Sequence, residues 1–237
     1  MTSNNLPEVP DRKIWFENLK KILRLIIKKP EFIFLGEKFE GQAFFLSNHV
    51  GASAPLTLEL YGRHPFRFWG TFEMNSGLSE VYKYLTVTYY HKKKHWNLTL
   101  ARLFCLIAAP LVTIFYRGLN LISTYPDMRF HRTVRESLNT LKNGHSLFIF
   151  PEDSSDGYHD ELTYFHSGLI FMAEQAIKAG YDLPMFLAYY QKPNRRYIID
   201  KPIRLSELLK KGESREAIAE MLRQRCNDLG KMTLAES

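Results

Sequence analysis

Three stretches of this 237-residue chain place polar or charged residues directly behind a run of apolar ones. Ser47-Asn48-His49-Val50-Gly51-Ala52-Ser53-Ala54 follows Ala43–Leu46, Tyr116-Arg117-Gly118 follows Val112–Phe115, and Pro151-Glu152-Asp153-Ser154-Ser155-Asp156 follows Leu147–Phe150. The apolar runs read as strands, and in open α/β sheets functional groups gather in loops just past the strand carboxyl ends. Together the loops offer a base in His49, a cation in Arg117 and carboxylates that converge on one crevice. An imidazole suits proton transfer because its ordinary pKa lies near neutrality. Plainer readings exist for each: His49 as a loop cap, Arg117 as a salt-bridged strand terminus, and Asp153, Asp156, Asp160 and Glu161 as a solvated acidic turn. Ser47 and Ser53 flank His49, but without a G-x-S-x-G elbow they make a poor serine hydrolase. His91, His95, His131, His145, His159 and His166 lack metal-ligand spacing, so no metal site is expected.

Asn48-His49, then Arg117, then Phe150-Pro151-Glu152, then Leu183-Pro184 with an apolar strand behind it, resembles the glycerolipid acyltransferases typified by lysophosphatidic acid acyltransferase. That family carries an NHxxxxD motif, an arginine-ended strand, an FPEGTRS motif and a late proline-led apolar strand. Phe165-His166-Ser167-Gly168 is similar to its Phe-x-x-Gly segment, and the likeness covers residues 30 to 205. It implies acyl transfer from acyl-CoA or acyl-carrier protein to a lipid-like hydroxyl or amine on a lysolipid-like acceptor, with no metal or redox cofactor. His49 would be the general base, beside Asn48. Arg117 would hold an anionic acceptor group as a fixed, always-charged fork. Glu152, Ser154 and Ser155 would shape the acceptor site.

Departures from the pattern are equally specific. Ala54 stands where the family has the aspartate that orients the histidine, Asp153 where it has glycine, and Ser155 where it has a phosphate-binding arginine. Losing the orienting carboxylate costs on the order of 10⁴-fold in the analogous serine-hydrolase triad. One reading is a divergent enzyme in which Asp153, Asp156 or Glu59 orients His49 and the acceptor is an amine or a neutral alcohol. The other is a protein that keeps the fold and the lipid-binding surface without turnover.

The elements that must hold these residues are legible in the spacing of apolar positions. Ile14–Lys29 is helical in period, with Trp15, Leu19, Ile22, Leu23 and Ile26 on one face and Lys20, Lys21, Arg24 and Lys28 opposite. One reading is a surface helix covering a core; the other, which its lysine-rich polar face favours, is an in-plane membrane helix. Strands are expected at Phe32–Leu35, Ala43–Leu46, Phe66–Trp69, Val112–Tyr116, Ser146–Phe150, Pro184–Tyr189 and Tyr197–Ile199. Helices are expected at Leu56–Tyr61, Leu98–Ala109, Arg129–Leu141, Leu169–Ala179 and Glu213–Leu229. Residues 70–97 show no clear period. Their basic cluster His91–His95, beside Tyr89, Tyr90 and Trp96, suggests a loop at a water–headgroup boundary. Alternating strands and helices predict an α/β fold, a largely parallel sheet flanked by helices. Residues 1–30 would be a tail and amphipathic helix, and 31–237 the acyltransferase-like domain.

Bulk composition narrows the partners. The chain is 45% hydrophobic, 24% charged and 14% aromatic, with a formal charge of +7. A basic, aromatic-rich protein points to anionic partners, here an anionic membrane surface, since no nucleic-acid-binding motif is present. Cys105 and Cys226 form no disulfide framework and suit a reducing compartment. The opening MTSNNLPEVPDRK has no signal-peptide pattern, and Leu103–Tyr116, the longest apolar stretch, falls short of a spanning helix. A peripheral protein on the cytoplasmic face of a membrane is the expectation.

Overall fold

The computed structural model describes residues 12–37, 41–62, 66–210 and 212–233. The polar tail of residues 1–11 therefore lies outside the described residues. Eight strands form one sheet: β1 (Glu31–Phe34), β2 (Phe44–Ser47), β3 (Phe66–Thr71), β4 (Ile122–Thr124), β5 (Ser146–Ile149), β6 (Pro184–Gln191), β7 (Arg196–Ile199) and β8 (Ile203–Arg204). The order is β1-β7-β6-β2-β5-β3-β4, with β8 beside β6. From β6 to β4 all neighbours run parallel. β7 and β8 run antiparallel to β6, and β1 runs parallel to β7. The sheet is thus mostly parallel with a reversed edge, as expected for an α/β fold.

Strands buried on both faces are apolar throughout rather than alternating, and the sequence obeys this at β2, β5 and β6. Phe44 and Leu46, Leu147 and Ile149, and Met185 and Leu187 point to one face, under α5 (Phe130–Lys142), α6 (Gly168–Lys178) and α8 (Arg215–Lys231). Phe45, Phe148, Phe186 and Ala188 point to the other. There the Phe45 ring stacks on Phe148 at 5.7 Å and on Phe186 at 5.4 Å. This aromatic face is closed by α1 (Ile14–Ile26), α2 (Ser53–Tyr61) and the end of α4 (Leu98–Leu119).

Two sequence expectations fail on this half. Val112–Tyr116 is not a strand: the helix that starts at Leu98 continues for 22 residues through Pro110 to Leu119. β4, three residues at Ile122–Thr124, pairs with β3 instead. Helix wins because Leu103, Ile107, Leu111 and Ile114 continue a 3–4 residue period across the proline. The same helix corrects the reading that no segment is long and apolar enough to cross a membrane; by length and composition α4 is, with 28% of its most apolar window buried. Residues 70–97 also prove structured, as a short 3₁₀ turn (Phe72–Asn75), α3 (Leu78–Lys83) and a π-helical segment (Tyr84–Lys93). An i→i+5 bond from the Lys94 amide to the Tyr89 carbonyl, 3.0 Å, closes that segment.

α1 docks by a stripe rotated from the one its apolar pattern suggests, with Leu19 still packed inward. Phe16 and Lys20 are buried, while Ile14, Ile22, Leu25 and Ile26 face outward. The Lys20 ammonium lies 3.0 Å from the Glu59 carboxylate of α2, which also takes two hydrogen bonds from Arg12. Lys20 therefore leaves the polar face assigned to it, and its burial is matched by a buried carboxylate.

Candidate active site

Asn48 is fully buried at the end of β2, with its amide laced into β6. Its Nδ2 donates to the Tyr190 carbonyl at 3.2 Å, and its Oδ1 accepts from the Tyr190 amide at 2.7 Å. These bonds copy a strand ladder one residue past the strand and so fix where the chain turns. His49 follows immediately, and the turn beyond it is left-handed, with φ +44° at Val50 and +64° at Gly51. A β-branched residue at positive φ is a strained backbone, a feature that clusters at functional sites.

The adjoining parallel strand β5 supplies the facing loop. Phe150 leads into Pro151-Glu152, and Glu152 bridges to Phe165 of the returning segment. The Asp153 amide donates to the Tyr164 carbonyl at 3.1 Å, and the His166 amide to the Pro151 carbonyl at 2.8 Å. The Phe165–Gly168 segment thus clamps the Glu152 loop before opening α6.

His49 is walled by rings, with Phe150 edge-on at 4.7 Å and Tyr158 stacked at 5.4 Å. Its Nδ1 is sealed from solvent without a hydrogen-bond partner. Burial, helped by the charge of Lys93, brings its pKa down to about 4, with only the Gly51 backbone acting the other way. Glu152 moves oppositely. Burial lifts its carboxyl to about 7, against the His49 backbone N–H and the charges of Lys93 and His159. Its Oε1 is also sealed and unpartnered. Burial thus keeps the imidazole neutral and favours the protonated form of the carboxyl, an arrangement suited to acid–base chemistry.

None of the carboxylates named as substitutes for the missing aspartate orients His49. Asp153 accepts from the Ser155 amide at 2.9 Å, which holds it below its ordinary range. Asp156 lies 3.3 Å from His159, and Glu59 is taken by Arg12 and Lys20. Ala54 itself is buried in the aromatic cluster.

The structure brings together Asn48, His49, Glu152, Asp153 and Ser154. Ser155 sits exposed at the rim, and Arg117 is exposed on the last turn of α4 rather than at a strand end. The cationic charge that acts on His49 and Glu152 comes instead from Lys93, whose Nζ donates to Ser154 Oγ at 2.7 Å. Lys93, Tyr89 and Tyr158 were missed as site residues. The signal for Lys93 and Tyr89 was the tyrosine and lysine interleaving of residues 89–94, which reads equally as a surface loop, and Tyr158 carried none.

No protein-family model matches the sequence, and no curated protein matches it. Among solved structures it is similar to the crystal structure of the 1-acyl-sn-glycerophosphate (LPA) acyltransferase, PlsC, from Thermotoga maritima. The match has 14% identity and a TM-score of 0.53, over 93% of this chain and 80% of that one. The chain shares its fold with that protein. At that identity the likeness speaks for architecture, which agrees with the resemblance carried by Asn48-His49 and Phe150-Pro151-Glu152.

Proposed function

We propose that the protein is an acyltransferase of lipid synthesis that works at the cytoplasmic face of a membrane. The observation that carries the proposal is the meeting of His49 and Glu152 at the carboxyl ends of adjacent parallel strands, within an acyltransferase fold. His49 takes the proton of the acceptor hydroxyl or amine as that atom attacks the thioester carbonyl of acyl-CoA or acyl-carrier protein. The carbon–sulfur bond then breaks and the thiol leaves with a proton. Being unprotonated above pH of about 4, His49 is ready as a base across the neutral range, though a weak one. The phenyl and phenol walls exclude water from the ring and so limit hydrolysis of the thioester. Asn48 positions the turn, and Glu152 with Ser154 lines the acceptor side.

Two helices support the membrane assignment. α1 presents Ile22, Leu25 and Ile26 to the outside, and α4 presents Leu103, Leu106, Ile107 and Leu111. Exposed apolar area of this extent marks an interaction surface. The same stretches of chain carry the exposed cations Lys21, Lys28, Lys29, Lys92, Lys94 and Arg117, which suit anionic headgroups.

A second reading, a lipid-binding protein without turnover, is favoured by the lack of a carboxylate on His49 among the described residues. The deciding experiment incubates the protein with acyl-CoA and a panel of lysolipids and amine or alcohol acceptors in vesicles, following thiol release. The enzyme reading expects acceptor-dependent release that falls by about 10²–10⁴ in His49→Ala. Release equal in the two proteins for every acceptor establishes the second reading.

A further inference from the structure

Ala54 leaves His49 without the carboxylate that would hold its ring. Among the described residues no other carboxylate takes that place, and Nδ1 is sealed without a partner. An imidazole turns about two side-chain torsions, and the outer one, which sets the plane of the flat ring, has only a broad preference of its own. Neighbouring groups must therefore fix that plane. Phe150 presents its edge, with centroids 4.7 Å apart and planes at 64°, and Tyr158 lies nearly parallel, at 5.4 Å and 21°. T-shaped and offset-stacked are the two arrangements that flat rings prefer at such distances.

Each wall is itself held. Phe150 runs back into the aromatic face of the sheet, stacked on Phe68 at 6.0 Å and tilted on Phe148 at 5.1 Å. Tyr158 belongs to no helix or strand, and Gly157, at φ +130°, turns the chain into it. Its ring has the ammonium groups of Lys93 and Lys94 at 5.5 and 5.4 Å, and Tyr89 tilts on it at 6.4 Å. Phe150 and Tyr158 stand on either side of Glu152 in the chain, so one stretch both supplies the carboxyl and grips the imidazole.

We propose that Tyr158 is a positioning residue of this site, setting by its stack the plane of the His49 ring that a carboxylate sets in the resembling family. The inference deepens the acyltransferase reading, on which it rests for the role of His49 as base. The exchange has a chemical consequence. A carboxylate fixes the plane and also steadies the imidazolium, whereas a ring fixes the plane and adds only burial. A base gripped this way is well placed but weak, in keeping with the fall of the His49 pKa through burial.

The test follows the His49 ring protons by NMR in wild type, Tyr158→Phe and Tyr158→Leu. In wild type they should lie upfield of those of the exposed His131 and show nuclear Overhauser contacts to the Tyr158 ring. Tyr158→Phe should keep the upfield shift. Tyr158→Leu, which leaves an apolar cover but no ring, should lose it and raise the His49 titration from about 4 toward 6.5. Modification of His49 by diethylpyrocarbonate should speed up by about tenfold in the same variant, the upper worth of one ring pair. Lys93, Lys94, Glu152 and His159, the charged groups around the two rings, are the same in both variants, so a difference between them comes from the ring. In thiol release, Tyr158→Leu should lower kcat by about tenfold with KM within about threefold, and Tyr158→Phe should recover most of the loss. Wild-type His49 protons with neither upfield shift nor contact to Tyr158 overturn the positioning role. So does a Tyr158→Leu protein that matches wild type in shift, titration and modification rate. Because these are read without turnover, a stack that holds in a protein with no thiol release leaves the inference standing and removes the enzyme reading.

Discussion

Burial pushes His49 and Glu152 in opposite directions, since it penalises the charged form of each. The unfolded chain titrates the two near their ordinary values of 6.5 and 4.5, the folded chain near 4 and 7. For Glu152, raised on folding, the favourable contribution is complete below pH 4.5 and is lost as pH rises through 7. For His49, lowered on folding, it is complete above 6.5 and is lost as pH falls through 4. Glu152→Gln keeps the shape and never ionises. It should therefore be more stable than wild type by about 3 kcal/mol above pH 7, an advantage that shrinks to nothing near pH 4.5. Urea denaturation at pH 5 and pH 8 checks this, and an advantage of equal size at both sinks it. The same variant should be the poorer catalyst, the usual exchange of stability against function.

At the scale of elements, the docking of α1 turns on one glycine. A Cβ on Gly118 would lie 2.0 Å from the Phe16 ring, which itself packs 5.4 Å from Phe115. Gly118→Ala raises helix propensity by about 1 kcal/mol but drives Phe16 off α4, at an expected net cost of about 1–3 kcal/mol. Adding Phe16→Ala should make the second substitution nearly neutral, and a double-mutant cycle by thermal denaturation measures the coupling. The sequence makes Phe16, as part of a helix, easy to foresee, but not which face of that helix turns inward. Apolar period alone points Ile22 and Ile26 to the core; the buried Lys20–Glu59 pair decides otherwise, and a long-range pairing leaves no local trace. Loops around Asn48 and Glu152 were legible because strongly apolar strands precede them. The π-helical segment was not, because its period matches neither 2 nor 3.6, and β4 and β8 are too short for any period. Val112–Tyr116 misled because β-branched and aromatic residues suit a strand as well as an apolar helix surface, and a proline ordinarily ends a helix.

For the molecule as a whole, α1 and α4 touch through buried Phe16 and Gly118, and each helix also carries an exposed apolar face. The aromatic flank of the α4 face is Tyr90 against Trp96 at 4.7 Å and Phe104 at 5.1 Å, rings suited to the headgroup level. Ile107→Glu with Leu111→Glu should abolish sedimentation with anionic vesicles while leaving thermal stability within about 0.5 kcal/mol, since both side chains are exposed. Wild-type binding should weaken as salt rises, through the exposed lysines. Binding by the double variant equal to wild type counts against the membrane face. Just ahead of α4 in the chain lies the π-helical run Tyr84–Lys93, and its winding bears on how relatives of this protein should be compared. An i→i+5 ladder holds more residues per turn than an α-helix, so the run behaves as an insertion absorbed without a loop. Deleting one residue between Tyr84 and Tyr90 would let it relax toward α geometry and swing Lys93 by about 100° around the axis. In an alignment, a single gap at that place would mark the descendants that lost the cation while every recognisable motif stayed intact.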